Sequence, residues 1–180
     1  MLIAKEKRRT NIAEYILYLW QVEDLLRALK FDPDQIGKTL VARFEVEDDT
    51  RLEIFDWYRN LSSMMEKERV TQAGHLQFVL NLIDDLNQFH MQLLQSGKDP
   101  RYVSLFQLAK PVIDEFESKS VEKGQNDIRL GFQALYSIML LRLQKKEIST
   151  STQSAIDHIS RMMGHLSARY LQHEKGKFEF

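Results

Sequence analysis

Apolar residues recur along this chain at three- and four-residue steps, the spacing of helices with one buried face. The pattern predicts seven of them. The first runs from Lys5 to Leu29, with Ile12, Ile16, Leu19, Val22 or Glu23, Leu26 and Leu29 on its stripe. Tyr15, Leu17, Tyr18 and Trp20 widen that stripe almost all the way round, so the helix belongs inside the protein or against a partner. The second opens at Asp32-Pro33, a cap followed by the residue best tolerated at the first helical position, and runs to Phe44. The acidic cluster Glu45, Glu47, Asp48 and Asp49 opens the third, which buries Ile54, Trp57 or Tyr58, Leu61, and Met64 or Met65. The fourth spans Thr71 to Ser96 on Leu76, Val79, Ile83, Leu86, His90 and Leu93, with Gly97 as its stop. The fifth runs from Asp99-Pro100 to Lys119, and Pro111 is expected to kink it. The sixth, Asn126 to Lys146, is so apolar that it should be the most buried. The seventh, Ser151 to Lys175, carries Ile156, Ile159, Met162 or Met163, Leu166 and Tyr170.

Composition agrees with the pattern. The 180 residues hold only 7 Gly and 3 Pro, too few for the many turns of a β fold. The expected fold is all-α, a bundle of about seven helices in one domain covering residues 1–180. A chain of this length can bury roughly 70% of its unfolded surface, enough for a core without staples.

Charge and cysteine content narrow the chemistry. There are 25 Lys and Arg against 26 Asp and Glu, a net of −1. Such a balance gives no field to draw in nucleic acid, and the short basic start Lys5-Glu6-Lys7-Arg8-Arg9 lacks interleaved aromatics. There is no cysteine, which removes disulfides, thiolate metal sites and cysteine nucleophiles and suits the reducing cytoplasm. The opening is not a secretory signal, and no stretch reaches the roughly 20 apolar residues of a membrane helix.

Motifs with named chemistry fail one by one. Gly37-Lys38-Thr39 ends like a phosphate loop, but Asp32 stands where the motif needs its first glycine and a helix precedes it instead of a strand. Asp32 to Arg43 brushes a calcium loop, but Ile36 and Arg43 occupy ligand positions. No zincin, di-iron, hydrolase-elbow or dinucleotide pattern occurs. The sequence calls for no metal and no cofactor.

Two constellations are left as candidates. On the first helix, Glu14 and Tyr18 share a polar face with Asn11 and Gln21, and Glu23 stands four residues before Arg27. With His90, which falls on the apolar stripe of the fourth helix and is first read as a hydrogen-bonded core histidine, these groups could line a polar pocket, since buried carboxylates concentrate at functional sites. A wet face and a routine Glu23–Arg27 pair account for the same residues. On the seventh helix, His158, Arg161, His165 and Arg169 form a stripe that could bind an anion. An ordinary solvated basic face is the reading the spacing favours for it.

Ile3-Ala4-Lys5-Glu6-Lys7, followed by the run from Asn11 to Ala28 (NIAEYILYLWQVEDLLRA) and closing in Phe31-Asp32, is similar to an uncharacterised all-helical domain family of Bacteroidetes bacteria. The resemblance implies a bacterial intracellular protein of this length and fold. It brings no activity, ligand or site residue. The first and sixth helices are too apolar for one-sided packing and no catalytic pattern is present, so the expected function is non-enzymatic, through protein–protein contact, with a homo-oligomer as one form of it. The alternative is a small-ligand-binding or enzymatic bundle whose polar pocket is lined by the first helix.

Overall fold

Side-chain caps set four of the helix starts. Asp32 accepts from the backbone N–H of Asp34 and Gln35, with Pro33 in the first turn. Asp99 does the same for Tyr102 ahead of Pro100, Asn126 for Arg129 and Ser149 for Thr152. Each side-chain oxygen satisfies a donor that the helix itself cannot. The computed structural model describes residues 2–180. The helices are α1 (Leu2–Thr10), α2 (Ile12–Ala28), α3 (Pro33–Ile36), α4 (Asp48–Lys67), α5 (Gln77–Ser96), α6 (Pro100–Lys119), α7 (Asp127–Leu143) and α8 (Thr150–Glu174). No strand occurs among the described residues, so the fold class is all-α.

The structure differs from the predicted elements at three places. The first helix is two, broken at Asn11. There the N–H of Ala13 donates to Ser167 Oγ at 3.2 Å, and Ser167 Oγ donates to Asn11 Oδ1 at 2.8 Å. A partner 154 residues away thus replaces a helical bond. The second helix keeps only four α-helical residues and then widens over Gly37–Val41 into π-type bonding, with Ala42 N–H reaching Gly37 O at 3.0 Å. The fourth begins six residues late. Gly74 has φ +89°, and the first helical donors are taken by distant carboxylates: Leu76 N–H by Glu23, Gln77 N–H by Glu68.

Contacts sort the chain into two compact units: residues 2–10 with Glu14–Asn81, and Asn11–Ala13 with Leu82–Phe180. The first is cored by Ile16, Leu19, Trp20, Leu26, Ile36, Ile54, Tyr58, Leu61 and Met65, so Tyr58 and Met65 take the buried alternatives of the third predicted helix. Arg27 ties its connecting loop down, donating to Val70 O at 3.1 Å and to Gly74 O. In the second unit α6 packs most extensively on α8, and α7 packs on both. Gly131 lets α7 close on α8, since a Cβ there would lie 3.3 Å from Met163 Sδ. Met162 and Met163 are both buried. The sixth predicted helix, α7, is buried through Ile138, but its end opens, with Leu143 60% exposed.

Candidate functional site

Asp99 is the polar centre of the second unit. Gly97, at φ +62°, ends α5 and turns the chain into the start of α6, where Asp99 caps the helix through Oδ1, 3.0 Å from Tyr102 N. Its other oxygen is the target of α8. His165 donates from Nε2 to Oδ2 at 2.8 Å, and Arg169 donates from Nε to the same oxygen at 2.6 Å. His165 and Arg169 are four residues apart, so both reach the carboxylate from one helix face. Asp99 is only 2% exposed. Burial alone would push its carboxyl up; the bonds from His165, Tyr102 N–H and Arg169 more than offset this and hold it down at about 2.

The network continues inward. Tyr102 stacks near-parallel on His165 with centroids 6.2 Å apart. Its hydroxyl lies 2.5 Å from His90 Nδ1 of α5. Burial pushes the His90 imidazole down to about 4 and the Tyr102 phenol up, so the neutral His90 ring accepts a hydrogen bond from the Tyr102 hydroxyl. Side chains of α5, α6 and α8 are joined through one carboxylate and one phenol.

Outside this node the α6–α8 surface opens into a groove of about 580 Å³. Arg101 and Leu105 line it from α6; Arg161, Gly164, His165 and Ala168 line it from α8. The next turn of the same α6 face carries Leu108, 55% exposed. Gly164 sits mid-helix in open space: a Cβ there would meet nothing within 4 Å. The groove therefore has a floor of small and aliphatic groups between two exposed arginines. It has the chemistry to hold an apolar ridge that carries negative charge at its edges.

The structure places the sequence candidates as follows. His165 and Arg169 meet at Asp99; Arg161 lines the groove with His165; His158 lies half-buried about two turns earlier on α8. Glu14 is exposed and paired with Lys7 at 2.6 Å. Tyr18 stacks on Trp57 at 6.4 Å and bonds to Tyr58, with burial raising both phenols. Glu23 is 1% exposed, accepting from Leu76 N–H at 3.0 Å and lying 2.6 Å from His75 Nδ1, whose ring stacks on Trp20 at 4.1 Å. Arg27 pairs with Asp24 instead of Glu23, at 2.7 Å. Each of Glu14, Tyr18 and Glu23 has its own separate partners, and His90 belongs to the other unit.

Sequence reasoning marked Asp99 only as the start of a helix, because its α8 partners lie 66 and 70 residues away. It passed over Arg101, Leu105 and Ala168. Gly164 carried a signal, a glycine in a helix interior where it costs about 1 kcal/mol against Ala. Among the described residues no group of three or more His, Asp or Glu side chains could hold a metal ion, and no helix is long and apolar enough to cross a membrane.

No curated protein and no solved structure matches the chain. A family model described as Domain of unknown function (DUF4924) matches residues 1–177, and the chain belongs to that family.

Proposed function

We propose that this protein works through protein–protein contact, and that the α6–α8 groove receives an acidic, amphipathic helical segment of its partner. The groove itself carries the reading: Leu105, Gly164 and Ala168 between exposed Arg101 and Arg161, with His165 anchored behind by buried Asp99. Charge supports the sign of the partner, since the adjacent acid, Asp99, is already held by His165 and Arg169. Gly164 supports its shape, because a helix can approach closely where no side chain stands. The cysteine-free composition and the opening run support a place in the cytoplasm of a bacterium.

The test is amide chemical-shift mapping on the full chain, titrated with a synthetic acidic helix built of Leu and Glu. Shifts clustered on Arg101, Leu105, Arg161, Gly164 and Ala168 support the proposal. No shifts at millimolar peptide, or shifts centred elsewhere, overturn it.

A further inference from the structure

Beyond the groove, a second surface on α5 and α8 is already covered, and what covers it is visible. Helix α8 ends in a reversal at Gly176, φ +64°, where Lys177 N–H bonds back to Gln172 O at 2.8 Å. The turn lays residues 177–180 back over the helices. Phe178 and Phe180 both pack on Phe89 of α5, with centroids 6.2 and 5.2 Å away. Phe180 also contacts His173 at 5.4 Å. Tyr170 completes the seat, edge-on to Phe89 at 5.5 Å. The Arg169 guanidinium lies over the Phe178 ring at 5.3 Å while its Nε holds Asp99. Two bonds fix the tail's main chain: His173 Nδ1 to Phe178 O at 2.9 Å and Lys98 Nζ to Glu179 O at 3.3 Å.

This is how a short peptide is recognised. Two aromatic anchors enter an aromatic seat, a cation stacks on one of them, and donors take the backbone carbonyls. The intervening residue, Glu179, is acidic, and its carbonyl accepts from the Lys98 ammonium. The attachment is slight, with Phe180 still 36% exposed. The family match ends at Lys177, so the two anchors lie outside it, whereas Phe89, Arg169, Tyr170 and His173 lie within it.

We propose that this seat is a recognition site for a Phe–acid–Phe segment of a partner protein, and that Phe178-Glu179-Phe180 occupies it in cis as an exchangeable stand-in. The tail's tether keeps it at millimolar effective concentration or above, so an isolated peptide competes poorly until the anchors are removed. The seat and the groove meet at Asp99, through Arg169 on one side and His165 on the other, but each has its own ligand and its own test.

The experiment uses the full chain carrying Phe178→Ala and Phe180→Ala, with a fluorescein-labelled hexapeptide of residues 175–180 (KGKFEF) read by anisotropy. The expected result is binding at least tenfold tighter to the variant than to the wild-type chain, and none by the control peptide KGKAEA. Equal affinity for both chains, or no binding to a variant that keeps its helical circular dichroism, overturns the proposal. Should the double variant unfold, the single variant Phe180→Ala, which keeps Phe178 on Arg169, carries the same comparison. A gain of threefold or more supports the proposal and no gain overturns it. Neither result bears on the groove, whose test depends on Arg101 and Arg161.

Discussion

Replacing Asp99 by alanine removes two things at once, and the structure allows each to be sized. The first is the cap of α6, the 3.0 Å bond to Tyr102 N–H, worth about 1 kcal/mol. The second is the shared counter-charge of His165 and Arg169, at 2.8 and 2.6 Å. Breaking a fully buried pair costs about 3–5 kcal/mol, but Arg169 is a third exposed, so water takes up part of the loss and about 2 kcal/mol remains. Asp99→Ala should therefore cost about 3 kcal/mol and lower the melting temperature by about 6–12 °C. Asp99→Asn keeps a capping oxygen and loses the charge, so it should cost about 2 kcal/mol. The assay is urea unfolding followed by far-UV circular dichroism, because both tryptophans, Trp20 and Trp57, report on the other unit. Acid gives an internal check. The folded carboxyl sits at about 2 against an ordinary 3.8. Its stabilisation is therefore fully present above pH 3.8 and is lost as pH falls through about 2, and the gap between wild type and Asp99→Asn should narrow over that window. A loss below about 1 kcal/mol for Asp99→Ala would show that Asp99 is only a cap, and the node behind the groove would fall with it.

Three further outcomes follow from other residues. His90 titrates at about 4 when folded and 6.5 when not, so the unfolded chain binds its proton first and stability should fall by up to about 3 kcal/mol as pH drops from 6.5 to 4; His90→Gln, which can still accept from Tyr102, should flatten that slope in pH-dependent urea titrations. Glu23→Ala leaves the buried N–H of Leu76 without its acceptor, at a cost of about 1–3 kcal/mol, and hydrogen exchange should show the Leu76 amide losing protection ahead of the α8 core. Lys145 ends α7 at φ +55° with its side chain exposed, so Lys145→Gly should stabilise the protein by up to about 1 kcal/mol in a thermal melt, against the usual effect of glycine.

The fold was legible where the information is local. Helical periodicity placed Leu76, Val79, Ile83, Leu86 and Leu93 on one buried stripe, and Asp32, Asp99 and Asn126 lie at starts that the sequence marks, with Ser149 capping two residues ahead of the predicted Ser151. Where a distant side chain decides the local structure, periodicity could not see it. Ser167 breaks the first helix at Asn11, and Glu23 and Glu68 set where α5 begins. The site divides in the same way. The stripe of His165 and Arg169 could be read from four-residue spacing, but its convergence on Asp99 could not. The polar residues of the first helix stood out because the helix is so apolar. Glu14 pairs with nearby Lys7, Tyr18 packs on distant Trp57, and Glu23 anchors the loop before α5.

The most direct measurement is the affinity of the acidic Leu/Glu helix for the wild-type chain and for the full chain carrying Arg101→Glu and Arg161→Glu, with circular dichroism and melting compared alongside. Both arginines are exposed, so the fold should be unchanged. A groove that holds its partner between these arginines requires that affinity fall at least tenfold on charge reversal, and that wild-type binding weaken with added salt. Equal affinity in the two chains, with folding intact, would contradict it.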